Sequence, residues 1–275
     1  MSLRYNDNTT QRFQLISYGC GLRVQQHPPL GFPLPNSPSV AIFCLSMKDQ
    51  LSDNIQNLYG RIAQACEEYD RDADDITIVA VTKRHPAHTI SRAVAAGLHN
   101  IGESRVQEAE EKIEQLGRIA RYHMVGHLQT NKVKKAVKLF DVIQSIDSLK
   151  VAEEINKEAA KIDHNIECYI EVNSSGEASK YGIDPNECLD IVRRVNGLEY
   201  IDLTGVMTIG PLTDDAERVR DAFRQTRHLF EASREIVGDE FDTLSMGMSA
   251  DFELAIAEGS TMIRVGTELF GPRPE

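Results

Sequence analysis

The sequence predicts a single (β/α)8 barrel of the α/β class, preceded by one extra helix. Three observations carry that expectation. Eight short apolar segments recur between residues 75 and 271. Each but the last is followed by a stretch of helical hydrophobic period, the alternation that builds parallel strands joined by crossover helices. The first strand-to-helix turn, KRHPAHT (83–89), has no glycine, whereas an open dinucleotide-type sheet needs a glycine-rich phosphate turn there.

Residues 1–46 stand apart. Five of the ten prolines fall between Pro28 and Pro38, and PPLGFPLPNSPS has neither helical nor strand period. Asp7 is the only acid before Asp49, which leans weakly towards a transit segment, but no amphipathic arginine helix accompanies it. The reading is a disordered extension, with Met47 as the true start and 47–275 as the barrel, a length close to the ~250 residues typical of that fold.

From Met47 the elements follow in order. LSDNIQNLYGRIAQACEEY (51–69) sets Leu51, Ile55, Leu58, Ile62 and Ala65 on one helical face. DITIVAVTK (75–83) is strand one, its unbroken β-branched run suited to burial on both faces. Pro86 opens the helix TISRAVAAGL, which Gly97 ends. HNIGES (99–104) is strand two with helix VQEAEEKIEQLG. YHMVGHL (122–128) is strand three with helix NKVKKAVKLF, and DVIQSID (141–147) is strand four with helix LKVAEEINKEAAKI. ECYIEVN (167–173) is strand five, and the loop SSGEASKYGID leads to the helix NECLDIVRRVNGL. LTGVMTIG (203–210) is strand six, followed by the long helix 216–237. TLSMGMS (243–249) is strand seven, with the short helix ADFELAIAEG. TMIRVGTELFG (261–271) is strand eight.

Composition excludes several classes. A net charge of -12 argues against a nucleic-acid partner, because phosphate backbones demand a basic footprint. The four lysines of NKVKKAVK read as a solvated helix face. No apolar run is long enough to span a membrane. The five cysteines, Cys20, Cys44, Cys66, Cys168 and Cys188, form no CxxC, which fits a reduced, cytoplasmic setting and no zinc.

Barrel sites lie at the C-terminal ends of strands, with phosphate often near strands seven and eight. Lys83 ends strand one. Either it snorkels to solvent from a strand end, or its amine sits desolvated at the rim of a buried layer, which suits a Schiff-base lysine. After strand seven, Ser249 is read as the N-cap of ADFELAIAEG. After strand eight, Gly266 admits backbone N–H groups close to a ligand and Thr267 adds a hydroxyl. Each has a plain structural alternative, an ordinary cap or a loop glycine. Together they form a phosphate cradle, and barrel closure sets it beside Lys83. A phosphorylated aldehyde would bridge amine and cradle: pyridoxal 5′-phosphate (PLP), with Arg264 beside its ring.

VAVTK (79–83), GE..VQE (102–108), YHMVGHLQTNKVK (122–134), GVMTIG (205–210) and LSMGMSADFELAIAEGSTMIRVGTELFG (244–271) together resemble the pyridoxal phosphate homeostasis protein family, in one register from Met47 to Arg273. The resemblance implies a barrel similar to the alanine racemase N-terminal domain, acting in vitamin B6 and amino-acid balance without established turnover. It implies PLP held as an aldimine on Lys83. Ser249, Gly266 and Thr267, with Ser245, take the phosphate; Arg264 faces the pyridine nitrogen and Met207 lies near the ring. Lys180 matches a lysine at the mouth that receives PLP in transit. Two departures stand out. The family's GENYVQE is GESRVQE here, so Ser104 replaces a pocket asparagine and Arg105 an aromatic residue. His127 stands where a small residue is usual.

A non-catalytic, monomeric carrier that supplies apo forms of PLP-dependent enzymes is therefore expected. An arginine cannot act as an acid towards the ring nitrogen, so a carbanion is poorly stabilised; the resemblance implies the same arginine in alanine racemase, so the absent partner domain is the stronger objection to turnover. Alanine racemase also draws a tyrosine base from a C-terminal β-domain, and this sequence ends at Glu275, just past strand eight. The alternative is a PLP-dependent amino-acid racemase of low activity. A third reading is a barrel for some other phosphorylated metabolite, with Lys83 structural.

Overall fold

The first strand, β1 (Thr77–Val81), explains why an apolar run forms a buried strand here. Val79 and Val81 join an interior cluster with Val125, Val142, Tyr169, Met207 and Met262, while Ile78 and Ala80 pack into the layer beneath the surrounding helices. Side chains alternate across a strand, so one β-branched run fills both layers. Full burial of each such side chain contributes about 1.5–3 kcal/mol.

The computed structural model describes residues 50–177 and 180–272. These residues belong to a unit that runs Met47–Glu275; the expected extension over 1–46 lies outside the described residues. The remaining strands are β2 (Asn100–Glu103), β3 (Arg121–Met124), β4 (Val142–Ile146), β5 (Ile166–Val172), β6 (Ile201–Thr208), β7 (Thr243–Ser245) and β8 (Met262–Val265). They form a closed barrel in sequence order. β8 returns parallel to β1, pairing Thr77 with Met262, Val79 with Arg264 and Ala80 with Val265. An open doubly wound sheet is excluded.

Helix α1 (Gln50–Glu68) buries the five predicted apolar residues and Cys66. The crossover helices are α2 (Ala87–Ala95), α3 (Val106–Leu116), α4 (Val133–Leu139), α5 (Leu149–Ala160), α6 (Cys188–Asn196), α7 (Ala216–Val237) and α8 (Phe252–Ala257). Strand eight ends earlier than the sequence pattern suggests: the expected TELF extension is instead a short helix, α9 (Thr267–Phe270). Helix α1 packs on α8 and α9. Asn54 Nδ2 donates to Leu269 O at 2.8 Å, and Arg61 pairs with Glu253 and Glu268 while lying over the Phe252 ring at 4.6 Å. The extra helix thus braces the two elements that follow β7 and β8.

Among the described residues no helix is long and apolar enough to cross a membrane, and no cluster of potential metal ligands occurs. Cys66, Cys168 and Cys188 are free and buried.

Candidate functional site

Lys83 stands two residues beyond β1, in a turn closed by His85 N donating to Thr82 O at 3.0 Å. Arg84, next in the turn, has φ +64°, a left-handed conformation that a non-glycine residue keeps only when its surroundings enforce it. Parallel pairing of β1 with β8 carries this turn alongside Gly266 and Thr267. A Cβ on Gly266 would lie 3.0 Å from the Val81 carbonyl oxygen, so glycine lets the two strand ends approach.

Ser249 is not the cap of the helix that follows it. Helix α8 begins only at Phe252, and its N-cap is Asp251. The Asp251 carboxylate takes the Met248 N–H at 2.6 Å, and burial raises its pKa. The Ser249 hydroxyl instead accepts the Glu268 N–H at 3.4 Å, reaching across to α9. Gly247, at φ +97°, makes the sharp exit from β7. Each post-strand loop closes on its own helix through backbone bonds to Met248 O and Gly266 O, and the Ser249 contact stitches the two loops to one another.

Lys83, Ser249, Arg264, Gly266 and Thr267 line one cavity of about 460 Å³. Its other walls include Val81, Val125, Ile209 and Met248, with exposed Leu212 at the rim and buried His85 beside Lys83. A larger recess of about 660 Å³ opens at the N-terminal end of the barrel among Thr77, Asn100, Arg121 and Thr243. It holds none of the predicted residues, and in this fold that end reads as structural.

Met207 and Ser245 sit below the cavity rather than in its wall. Met207 is fully buried in the interior cluster. Ser245 Oγ donates to Gln144 Oε1 at 2.7 Å and accepts from Arg264 Nη1 at 2.7 Å. Arg264 Nη2 donates to Thr208 O at 2.7 Å. The guanidinium is thereby fixed by two acceptors. Burial lowers its pKa to about 10, opposed by Asp251 and Glu171, so it remains a cation at neutral pH. Burial, and secondarily Asp147, lift the Glu171 carboxyl to about 7, while Arg264 pulls it back.

The chain of contacts continues through the barrel axis. Gln144 Nε2 lies 3.0 Å from His123 Nδ1, and His123 Nε2 lies 3.2 Å from Asn100 Oδ1. Donation from Gln144 and acceptance by Asn100 fit one neutral tautomer of His123. Desolvation, with Arg121 nearby, lowers its pKa to about 3. Gln144 and His123 were missed by the sequence reading. Their signal was a polar residue at an inward position of an otherwise apolar strand.

The rim residues diverge. Lys180 Nζ donates to Gly210 O at 2.7 Å and pairs with Glu177 at 3.1 Å, next to the cavity wall formed after β6. His127 stacks on Tyr181 with ring centroids 3.8 Å apart, and its Nδ1 meets Asp147 Oδ2 at 2.7 Å. Ser104 does not line the Lys83 cavity. It shares a separate recess with Arg105 and His127, and its backbone abuts Gly126, where a Cβ would lie 2.5 Å from Ser104 O.

Fold and site define a barrel of the alanine racemase N-terminal type, with a lysine after β1 and interlocked loops after β7 and β8. Residues 52–274 match the family described as alanine racemase, N-terminal domain. A Pasteurella multocida protein named pyridoxal phosphate homeostasis protein is 36% identical over 227 residues, 81% of this chain and 97% of the relative. A Schizosaccharomyces pombe protein of the same name is 36% identical, covering 73% of this chain and 85% of the relative. The chain belongs to the pyridoxal phosphate homeostasis protein family. PipY of Synechococcus elongatus, solved with PLP bound, is 33% identical with a TM-score of 0.70, over 80% of this chain and all of PipY. Alanine racemase of Clostridium difficile, at 20% identity and TM-score 0.67, shares 83% of this chain and 58% of its own; that likeness shows the fold alone.

Proposed function

We propose that this chain binds PLP in the cavity at the ends of β1, β7 and β8 and supplies it to apo-enzymes, as a monomer without turnover of its own. One observation carries the reading: Lys83, Arg264 and the Ser249–Gly266–Thr267 loops converge on a single cavity whose volume lies in the ~300–1,000 Å³ range of small-molecule sites. The donor set fits the group. The amine of Lys83 is matched to the aldehyde, hydroxyls and close-approaching backbone to the phosphate, and an anchored arginine to the pyridine nitrogen. The name and the bound PLP of the relatives support the same choice. PLP, when bound, supplies an aldehyde that condenses with a lysine amine, losing one water.

The residues favour holding over turnover. Arg264, kept cationic and pinned by Ser245 and Thr208, opposes protonation of the ring nitrogen, without which a carbanion is poorly stabilised. The free buried cysteines fit a reducing cytoplasmic setting.

The test is spectroscopic. The protein with PLP should show a band near ~420 nm that Lys83→Ala abolishes, and borohydride should fix a pyridoxyl group on Lys83. Absence of the band with added PLP would overturn the reading. A racemase has one observation in its favour, since His85 lies in the cavity beside Lys83 and racemisation needs two proton-handling groups. Formation of D-amino acids from a panel of L-amino acids, lost in Lys83→Ala, would establish it.

A further inference from the structure

Both peptide groups that flank Lys83 are held by one buried ion cluster. The Thr82 carbonyl, which precedes Lys83, accepts from Lys112 Nζ at 2.7 Å. The Arg84 N–H, which follows Lys83, donates to Glu108 Oε1. These two groups bound the only soft backbone dihedrals of Lys83, so holding both fixes the direction in which its side chain leaves the turn. The cluster is tightly built. Lys112 Nζ also donates to Glu103 Oε1 at 2.6 Å and Glu108 Oε1 at 2.8 Å, which uses all three donors of the ammonium. Thr82 Oγ1 donates to the same Glu103 oxygen. Lys112 is 5% exposed and Glu103 fully buried.

A buried ion cluster is weak ground for stability, because desolvation offsets the attraction and an apolar replacement is often as good. Its placement here points elsewhere. It sits beneath one turn, it holds that turn's Arg84 in a left-handed conformation, and the turn presents the amine. None of Glu103, Glu108 and Lys112 is among the residues lining the cavity.

We propose that Glu108 and Lys112, supported by Glu103, are positioning residues that aim the Lys83 amine at the aldehyde carbon of PLP. This rests on Lys83 being the amine that takes PLP. The cluster acts on the backbone either side of Lys83, through the Thr82 carbonyl and the Arg84 N–H.

A double-mutant comparison tests this. Glu108 lies at the accessible edge of the cluster, and Glu108→Ala leaves Lys112 with Glu103 and Thr82 as partners, so the fold survives it. PLP affinity would be measured for wild type, Glu108→Ala, Glu108→Gln and Lys112→Met by titrating the imine band. The same changes in a Lys83→Ala background would be followed by equilibrium dialysis of non-covalent PLP. The expected result is an affinity loss of about tenfold for Glu108→Ala and at least as much for Lys112→Met, the scale of coupling between contacting residues. Glu108→Gln, which keeps an acceptor for Arg84 N–H, should recover most of it. In the Lys83→Ala background the same changes should have no effect. An equal loss with and without Lys83, or no loss in Glu108→Ala with Lys83 present, would overturn the proposal. If wild type itself forms no band, or Lys83→Ala keeps it, the PLP reading falls and this inference with it. If Lys112→Met fails to fold, the Glu108 pair alone decides.

Discussion

His123 shows how a single residue can link two ends of the barrel. It is 1% exposed, neutral, and hydrogen-bonded on both ring nitrogens, in the line that runs from Asn100 through Gln144 and Ser245 to Arg264. Its folded pKa is near 3, against an ordinary 6.5. Below pH 6.5 the unfolded chain takes up the proton first, so unfolding is favoured as pH falls. The stabilisation from neutral His123 is therefore complete above pH 6.5 and is lost progressively towards pH 3, by up to about 1.4 kcal/mol per pH unit. Urea unfolding at pH 4, 5, 6 and 7 should show that slope, and His123→Gln should flatten it. An unchanged slope in the variant would assign acid sensitivity to other groups. At this scale the sequence singled out Lys83, because a lysine closing an apolar strand is locally anomalous, and the fold puts it in the cavity wall. The same reading misplaced the contact of Ser249, because a hydroxyl beside a short helix looks the same whether it caps that helix or reaches another.

At the scale of elements, the site depends on the two loops after β7 and β8 and on the helix that braces them. Gly247 is the tightest point. It has φ +97°, and a Cβ there would lie 2.6 Å from Ala255 Cβ, so Gly247→Ala combines backbone strain with a clash inside the first turn of α8. The expected cost is about 2–3 kcal/mol, a fall in Tm of roughly 5–10 °C for a domain of this size, with weakened PLP binding. A variant with wild-type Tm would show that the loop relaxes freely. The element pattern was legible because helical and strand periods come from the backbone itself. The end of β8 was not, since Leu269 and Phe270 resume the apolar pattern after Gly266, Thr267 and Glu268, and the short helix that carries them has no period of its own.

For the whole molecule, the closed ring of strands brings β8 against β1 and so joins Lys83 with Ser249, Arg264, Gly266 and Thr267 in one cavity. The family match covers residues 52–274. A chain beginning at Met47 is expected to unfold at the same temperature as the full chain, within a degree or so, and to give the same PLP band. A lower Tm, or a lost band, would show that residues before Met47 contribute to the barrel.

The sequence alone determined the barrel, the order of its strands, the lysine after β1 and the two loops that face it. Those features follow from patterns a few residues long repeated along the chain, and from the rule that barrel sites gather at the strand ends. Only the tertiary structure decided which polar residues lie beneath the site. Ser245 meets Gln144 across 101 positions of sequence, Lys112 meets Thr82 across 30, and Ser104 falls into a neighbouring recess. A buried polar group has no local signature, because its partner comes from a distant strand or helix and burial is set by what packs above it. Lys112, buried on the helix after β2 and holding the turn that carries Lys83, is the clearest instance.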